Sequence, residues 1–193
     1  MSEPEDKSDS YLEDIPRYFY STITNDLLSN CSICDCDLLN ENTHYFIEKS
    51  IKYYPELDTE ETILEYAICS DCHEELSKSL SEESKITIQN FYLERIQFFS
   101  QNQDTQTLEE KLSTCWVSKK TKGEITEFNV VAECLGNQMN RSFFPMMISA
   151  EAIQELYQSL SFETKDELDR FKDRFDNVPP EFKEILKDKL VIF

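Results

Sequence analysis

Residues 31–34 read Cys-Ser-Ile-Cys and residues 69–72 read Cys-Ser-Asp-Cys, and 34 residues, Asp35 to Ile68, separate these two Cys-x-x-Cys pairs. Two residues between cysteines let one tight turn direct both thiolates at the same ion, and two such turns complete a tetrahedron around zinc. Unliganded buried thiols are the alternative, but two pairs of equal spacing favour a metal. We therefore predict one structural zinc ion bound by four ligands: Cys31, Cys34, Cys69 and Cys72.

Four other residues bear on the ligand set. Cys36 and His73 lie one or two residues from a predicted ligand, and either could take the place of one of the four. Cys115 and Cys134 have no partner at ligand spacing and are predicted to be core residues. A set of four cysteines leaves no coordination position for water, so the zinc is predicted to be structural rather than catalytic.

The segment between the cysteine pairs has the pattern of two strands. Apolar side chains recur on odd positions from Thr43 to Tyr54, which predicts a strand with one buried face. Pro55–Asp58 breaks the pattern, and Thr62–Ile68 resumes it as a second strand. From Asp71 onwards, acidic residues in a first turn and apolar residues four apart predict a helix.

A turn with two ligands, a hairpin, and a helix that opens with two more ligands resembles the treble-clef zinc-finger superfamily over residues 30–80. The resemblance implies a compact zinc module built on that hairpin. A zinc ribbon, whose second pair lies on another hairpin, is the competing fold, and the helical pattern after Cys72 favours the treble clef. The segment from Ser149 to Lys187 resembles bacterial proteins that carry an appended zinc finger.

The chain as a whole is predicted to be an α+β protein with two domains. The predicted divisions are a disordered acidic tail at 1–14, a zinc-binding domain at 15–100, a polar linker at 101–107 and a C-terminal α+β domain at 108–193. We see no internal repeat at the periods typical of solenoid proteins.

Within these domains the remaining elements follow from periodicity and capping signals. The predictions are a helix at 85–100, a hairpin of strands 127–135 and 141–148 interrupted at Pro145, a helix capped by Ser149, a helix opened by a Thr164–Glu167 capping box, and a last helix from Pro179.

The formal net charge of −20 sets expectations about partners. Residues 31–93 contain fourteen Asp and Glu against four Lys and no Arg, so this module should repel phosphate backbones and bind nucleic acid poorly. Many HNH-type endonucleases also use a treble clef, and that resemblance implies additional His and Asn or Asp residues for a catalytic metal. The chain has only His44 and His73, which makes a functional nuclease the weaker hypothesis.

The leading hypothesis is a non-enzymatic, zinc-stabilised protein-interaction module whose partner is another protein. The first alternative is an acidic inhibitor, of the immunity-protein or nucleic-acid-mimic kind, with a basic partner. The second is a degenerate HNH-like nuclease. Without an apolar run of about 18 residues or a basic-then-apolar start, we expect no membrane association and a cytoplasmic location.

Overall fold

The computed structural model describes residues 11–96, 106–142 and 144–174. This part of the chain forms a mixed α/β structure with one six-stranded antiparallel sheet and five helices. The strands are β1 (Leu12–Asp14), β2 (His44–Tyr54), β3 (Thr59–Cys69), β4 (Glu127–Leu135), β5 (Gln138–Asn140) and β6 (Met146–Ser149). The helices are α1 (Ser70–Ser79), α2 (Glu82–Ile96), α3 (Leu108–Lys111), α4 (Ala150–Ser159) and α5 (Phe162–Asp173).

The sheet has the order β1-β5-β4-β2-β3, with β6 also paired to β4. The predicted hairpin between the cysteine pairs is confirmed as β2 and β3. The strand predicted at 141–148 is confirmed only in its second half, as β6, and the hairpin partner that directly follows β4 is the unpredicted β5. β2 pairs with β3 on one side and with β4 on the other. The two halves that the sequence assigns to separate domains therefore share one sheet, and most of the predicted linker lies outside the described residues.

The burial of β2 differs from the predicted single buried face. Tyr45, Ile47 and Ile51 are buried as expected, together with Lys49 on the same face, but Glu48 and Ser50 on the opposite face are buried too. A central strand covered on both faces has no solvent-facing side, so polar residues on it must find partners inside the protein.

The helix starts are only partly as predicted. Ser149 caps α4, and its Oγ accepts a hydrogen bond from Ala152 N at 3.3 Å. The capping box at Thr164 is wrong, because α5 begins at Phe162 and Ser161 Oγ accepts the hydrogen bond from Thr164 N. The predicted disordered tail at 1–14 does not hold for Leu12–Asp14, which form β1 and pair with β5. The rest of that tail up to residue 10 and the predicted helix from Pro179 lie outside the described residues.

Gly136 occupies the turn between β4 and β5 with a φ of +55°, in the left-handed region that favours glycine. A Cβ at this position would lie 3.2 Å from the carbonyl oxygen of Asn40. Gly136 N also donates a hydrogen bond to Thr43 O at 3.1 Å, so the turn contacts the loop that leads into β2.

Candidate metal centre

The first cysteine pair lies in a tight turn. Cys31 N donates to Cys36 O and Asp35 N donates to Cys31 O, each at 2.9 Å. Asp35 has a φ of 61°, a conformation that Asp adopts more readily than most residues. We name residues 31–36 the knuckle.

The knuckle contacts the end of β3, which carries the second pair. Ser32 N donates to Ala67 O at 2.8 Å, and Ala67 N donates to Ser32 Oγ at 3.3 Å. Two residues later Cys69 ends β3 and stands at the N-cap of α1, so Cys72 lies in the first helical turn. The predicted strand-to-helix junction is confirmed.

The structure brings the four predicted cysteines together, and their Sγ atoms all lie within 4.8 Å of one another. The Cys34 and Cys69 Sγ atoms are 3.7 Å apart. Four sulfurs bound tetrahedrally at about 2.3 Å from a zinc ion would be separated by about 3.8 Å. Cys31, Cys69 and Cys72 are buried while Cys34 is exposed. The cluster could hold a metal ion.

The thiols of the cluster have different acidities. Cys34 is exposed as a residue, but partial desolvation of its thiol raises the pKa, and hydrogen bonds involving Cys36, Cys31 and Cys72 outweigh this effect and lower the pKa to about 7. Burial raises the pKa of Cys72, and hydrogen bonds to the neighbouring thiols reinforce the effect. The surroundings of the cluster therefore favour the thiolate form of Cys34 over that of Cys72. A divalent cation would displace protons from the others, which couples metal affinity to pH.

Cys36 and His73 lie beside the cluster but outside the group of four. The backbone carbonyl of Cys36 accepts the hydrogen bond that closes the knuckle. Burial raises the pKa of the Cys36 thiol, and a hydrogen bond to Cys34 raises it further. The His73 ring packs against Phe46 with centroids 4.9 Å apart, and burial lowers the pKa of its imidazole.

His44, the candidate base of the nuclease hypothesis, is exposed at the first position of β2. Among the described residues, neither His44 nor His73 belongs to a group of three or more His, Cys, Asp or Glu side chains that could share an ion. The nuclease hypothesis gains no support from this placement.

Cys115 and Cys134 are buried, as predicted for core residues. Burial raises the pKa of Cys134 to about 12. Cys115 differs, because hydrogen bonds from Ser118 and Ser149 outweigh the effect of burial and lower the pKa of its thiol.

The sequence did not predict a cluster of buried polar residues on β2 and its neighbours. The Glu48 carboxylate accepts hydrogen bonds from Tyr66 Oη and Asn129 Nδ2, and all three residues are buried. Lys49 forms an ion pair with Glu65 at 3.2 Å. The β-hairpin pattern predicted a solvated even face for β2. Instead, the Glu48 carboxylate is enclosed by side chains of both neighbouring strands, Tyr66 on β3 and Asn129 on β4, and β4 lies far away in sequence.

None of the helices in the described part of the chain is long and apolar enough to cross a membrane. Comparison of the chain with protein-family models, with curated proteins and with solved structures finds no match.

Proposed function

We propose that the chain is a non-enzymatic protein-interaction module stabilised by one structural zinc ion in a treble-clef-like unit at residues 30–80. The observation that carries the proposal is the cluster of four cysteines, which combines a knuckle with a strand-to-helix junction. No family or relative contributes to it, so it rests on the chemistry of the site.

Zinc is the metal that this donor set favours. Thiolates are soft ligands, and four of them in a tetrahedral arrangement suit Zn²⁺ or an iron–sulfur site rather than Mg²⁺ or Ca²⁺. Four thiolates and one Zn²⁺ carry a net charge of about −2, which the free N–H groups at the start of α1 would help to stabilise.

The role of the ion is structural in this proposal. The four sulfurs fill every tetrahedral position, so no site is left for a water nucleophile or a substrate oxygen. The ion would instead join the knuckle to the end of β3 and the start of α1, segments separated by 34 residues of chain. The free energy of metal binding then becomes part of the free energy of folding.

Interaction with another protein is supported by the surface. Three large apolar side chains are strongly exposed in the described part: Ile23 at 89%, Phe162 at 83% and Leu57 at 71%. Single exposed apolar residues are common, but bulky ones exposed to this extent are candidates for partner contacts.

Elemental analysis of the purified protein tests the metal. We expect about one zinc per chain, and we expect Cys72→Ser to lose it and to destabilise the fold. Cys36→Ser and His73→Ala are matched controls because both residues lie beside the cluster, and both should retain the zinc. A fully folded wild-type protein without metal would contradict the proposal. Iron in place of zinc would show that the site binds iron and would contradict the assignment of zinc.

Affinity capture tests the interaction. Tagged wild-type protein should recover a stable partner from the native lysate, and a triple variant with Ile23, Leu57 and Phe162 changed to Ser should recover less of it while keeping its zinc. A wild-type protein that recovers no partner above the background of an unrelated acidic protein would count against an interaction role.

The charge distribution favours a second candidate, an acidic inhibitor of a basic protein. Acidic residues outnumber basic ones by 39 to 19 in the chain. Even acids that pair with a basic side chain remain largely exposed, among them Glu82 at 85%, Glu151 at 74% and Glu75 at 66%. Long-range attraction to a basic partner accelerates association and is screened by salt. Association whose rate falls steeply between low and physiological salt would favour this candidate, and a rate independent of salt would exclude it.

A further inference from the structure

Two segments 80 residues apart are alike in sequence. Residues 75–85 read Glu-Leu-Ser-Lys-Ser-Leu-Ser-Glu-Glu-Ser-Lys, and residues 155–165 read Glu-Leu-Tyr-Gln-Ser-Leu-Ser-Phe-Glu-Thr-Lys, with seven of eleven positions identical. Each segment joins two helices, α1 to α2 and α4 to α5. The spacing is longer than any solenoid period, which is why a search at those periods does not find it.

A second knuckle, at residues 115–120, matches the first. Cys115 N donates to Lys120 O at 2.8 Å and Lys119 N donates to Cys115 O at 3.0 Å, the same two bonds that close residues 31–36. The φ of Lys119 is 63° and that of Asp35 is 61°. The residues before each knuckle are also alike, Leu-Ser-Asn at 28–30 and Leu-Ser-Thr at 112–114.

Both knuckles contact their hairpins in the same way. Trp116 N donates to Met147 O at 2.7 Å, as Ser32 N donates to Ala67 O at 2.8 Å. The strand registers of the β2–β3 and β4–β6 pairs agree as well. Tyr45 pairs with Cys69 and Phe128 pairs with Ser149, and each pair precedes a helix of ten residues.

The two halves are related by an approximate twofold axis through the sheet. Glu48 and Val131, which occupy equivalent positions in β2 and β4, pair directly with each other. One backbone hydrogen bond between the two halves recurs at equivalent positions on the two sides of this pair. Tyr53 N donates to Thr126 O at 2.8 Å, and the equivalent Gly136 N donates to Thr43 O at 3.1 Å.

The helix junctions obey the same symmetry. Ser81 N donates to Thr164 Oγ1 at 3.0 Å, and Ser161 N donates to Ser84 Oγ at 3.0 Å. The Ser81 and Ser161 hydroxyls are 2.9 Å apart, where the axis passes. Reciprocal contacts of this kind are the signature of an isologous interface.

We infer that the chain is a tandem duplication of one module. Residues 115–152 of the second copy contain the counterpart of the metal site, in which hydrogen bonds take the place of the metal. Four positions correspond to the cysteines of the first copy: Cys115, Ser118, Ser149 and Ala152. The duplication rests on the paired hydrogen bonds, and the choice of zinc as ligand rests on the proposed function.

The geometry of the second site matches the first where side chains remain. Cys115 Sγ and Ser118 Oγ each lie 3.5 Å from Ser149 Oγ. Ser149 N donates to Cys115 Sγ at 3.2 Å, as Cys69 N donates to Cys31 Sγ at 3.4 Å. Hydroxyls are poor ligands for a soft site and alanine supplies none, so this copy is held together by hydrogen bonds.

Restoring the three missing thiols tests the inference. The variant Ser118→Cys/Ser149→Cys/Ala152→Cys should raise the zinc content from about one to about two per chain. The control Ser113→Cys/Glu151→Cys/Gln158→Cys adds three cysteines at exposed positions of the same segments without creating a Cys-x-x-Cys pair, and it should stay at one. A restored variant that folds, keeps its first zinc and gains no second ion would overturn the inference.

A single substitution tests the same geometry if the triple variant does not fold or if the wild-type protein binds no metal. In Ala152→Cys, the new thiol should form a disulfide with Cys115 when oxidised glutathione is added. The two thiols lose two electrons and two protons, and the glutathione disulfide is reduced to two glutathione thiols. Peptide mass mapping should find this disulfide in Ala152→Cys and not in Glu151→Cys, its exposed neighbour. Failure of Cys115 to pair in the folded Ala152→Cys variant would contradict the proposed correspondence.

Discussion

The ion pair of Lys49 and Glu65 gives the sharpest prediction about stability. Lys49 is 2% exposed and its ammonium lies 3.2 Å from a Glu65 carboxylate oxygen, with 9% of the Glu65 side chain exposed. Removing one member of a buried pair leaves the other charge without its partner and costs about 3–5 kcal/mol. The remaining contacts decide where in that range each variant falls.

Lys49→Met should fall at the lower end, about 3 kcal/mol, because Ser21 Oγ and Thr22 N continue to donate hydrogen bonds to Glu65 at 2.7 and 2.9 Å. Glu65→Leu should fall at the upper end, about 5 kcal/mol, because the Lys49 ammonium keeps only the Tyr20 carbonyl oxygen among the contacts described here. The double variant removes both charges and should be more stable than Glu65→Leu.

Urea unfolding of the metal-loaded protein, monitored by circular dichroism, measures these free energies, and the double-mutant cycle should give a coupling energy of about 2–3 kcal/mol. For a chain of this size, 3–5 kcal/mol corresponds to a fall in Tm of roughly 6–20 °C. Single variants that each lose less than about 1 kcal/mol would refute the reasoning, since that is the value of a solvated pair.

The same pair predicts the direction of a pH dependence. Burial raises the pKa of Glu65, but hydrogen bonds from Thr22 and Ser21 and the charge of Lys49 outweigh it and hold the pKa below its usual range. A lowered pKa in the folded state means that this contribution is complete above the unfolded value of about 4.3 and is lost as the pH falls through the folded value. Glu65→Leu should therefore show a weaker acid destabilisation than the wild type.

Three further substitutions have defined outcomes in the same unfolding assay. Gly136→Ala should cost about 1–3 kcal/mol because its φ is +55° and a Cβ meets backbone, whereas Gly123→Ala, with no atom within 4 Å, should be nearly neutral; equal effects would contradict this. Ser149→Ala should cost about 1–3 kcal/mol, because it removes the α4 cap and also the contacts of the buried hydroxyl with Cys115 and Ser118; an unchanged stability would contradict this. Tyr66→Phe should cost about 1–3 kcal/mol because Glu48 loses a buried donor, and an unchanged urea midpoint would argue against that bond.

Local sequence signals predicted the parts of the fold that local forces determine. The period of two from Thr43 to Tyr54 located β2, and Ser149 located the start of α4 because its hydroxyl acts on the helix that it precedes. The four cysteines could be assigned to one cluster because the spacing within each pair reflects the turn that brings its thiols together.

The errors have a common cause in contacts between residues far apart in the chain. Thr164 has the spacing of a capping residue, but its hydroxyl accepts a hydrogen bond from Ser81 N across the helix junction. Glu48 belongs to a pattern typical of a solvated face, but its carboxylate is buried and accepts a hydrogen bond from Asn129 on β4. Neither partner can be identified from the residues around these positions.

The repeat was accessible in principle, since residues 75–85 and 155–165 are identical at seven positions. It is difficult to recognise because the functional signal changed between the copies. The Cys-x-x-Cys pairs of the first copy correspond to Cys-x-x-Ser and Ser-x-x-Ala in the second, so Cys115 has no partner at ligand spacing. Ligand motifs therefore indicate one metal site, whereas the hydrogen bonds and strand registers indicate two modules.

The equivalent positions also explain why one copy would keep a metal and the other would not need it. Lys49 of the first copy corresponds to Ala132 of the second, and Glu65 corresponds to Pro145. The first copy thus buries an ion pair, and the cost of desolvating the two charges offsets much of the attraction between them. The second copy buries apolar side chains at the same positions, and their burial stabilises the fold directly. A small module with a polar interior depends on an additional source of stability, and metal binding can supply it. The cluster of four cysteines and the buried charges occur together in the first copy, and both are replaced in the second.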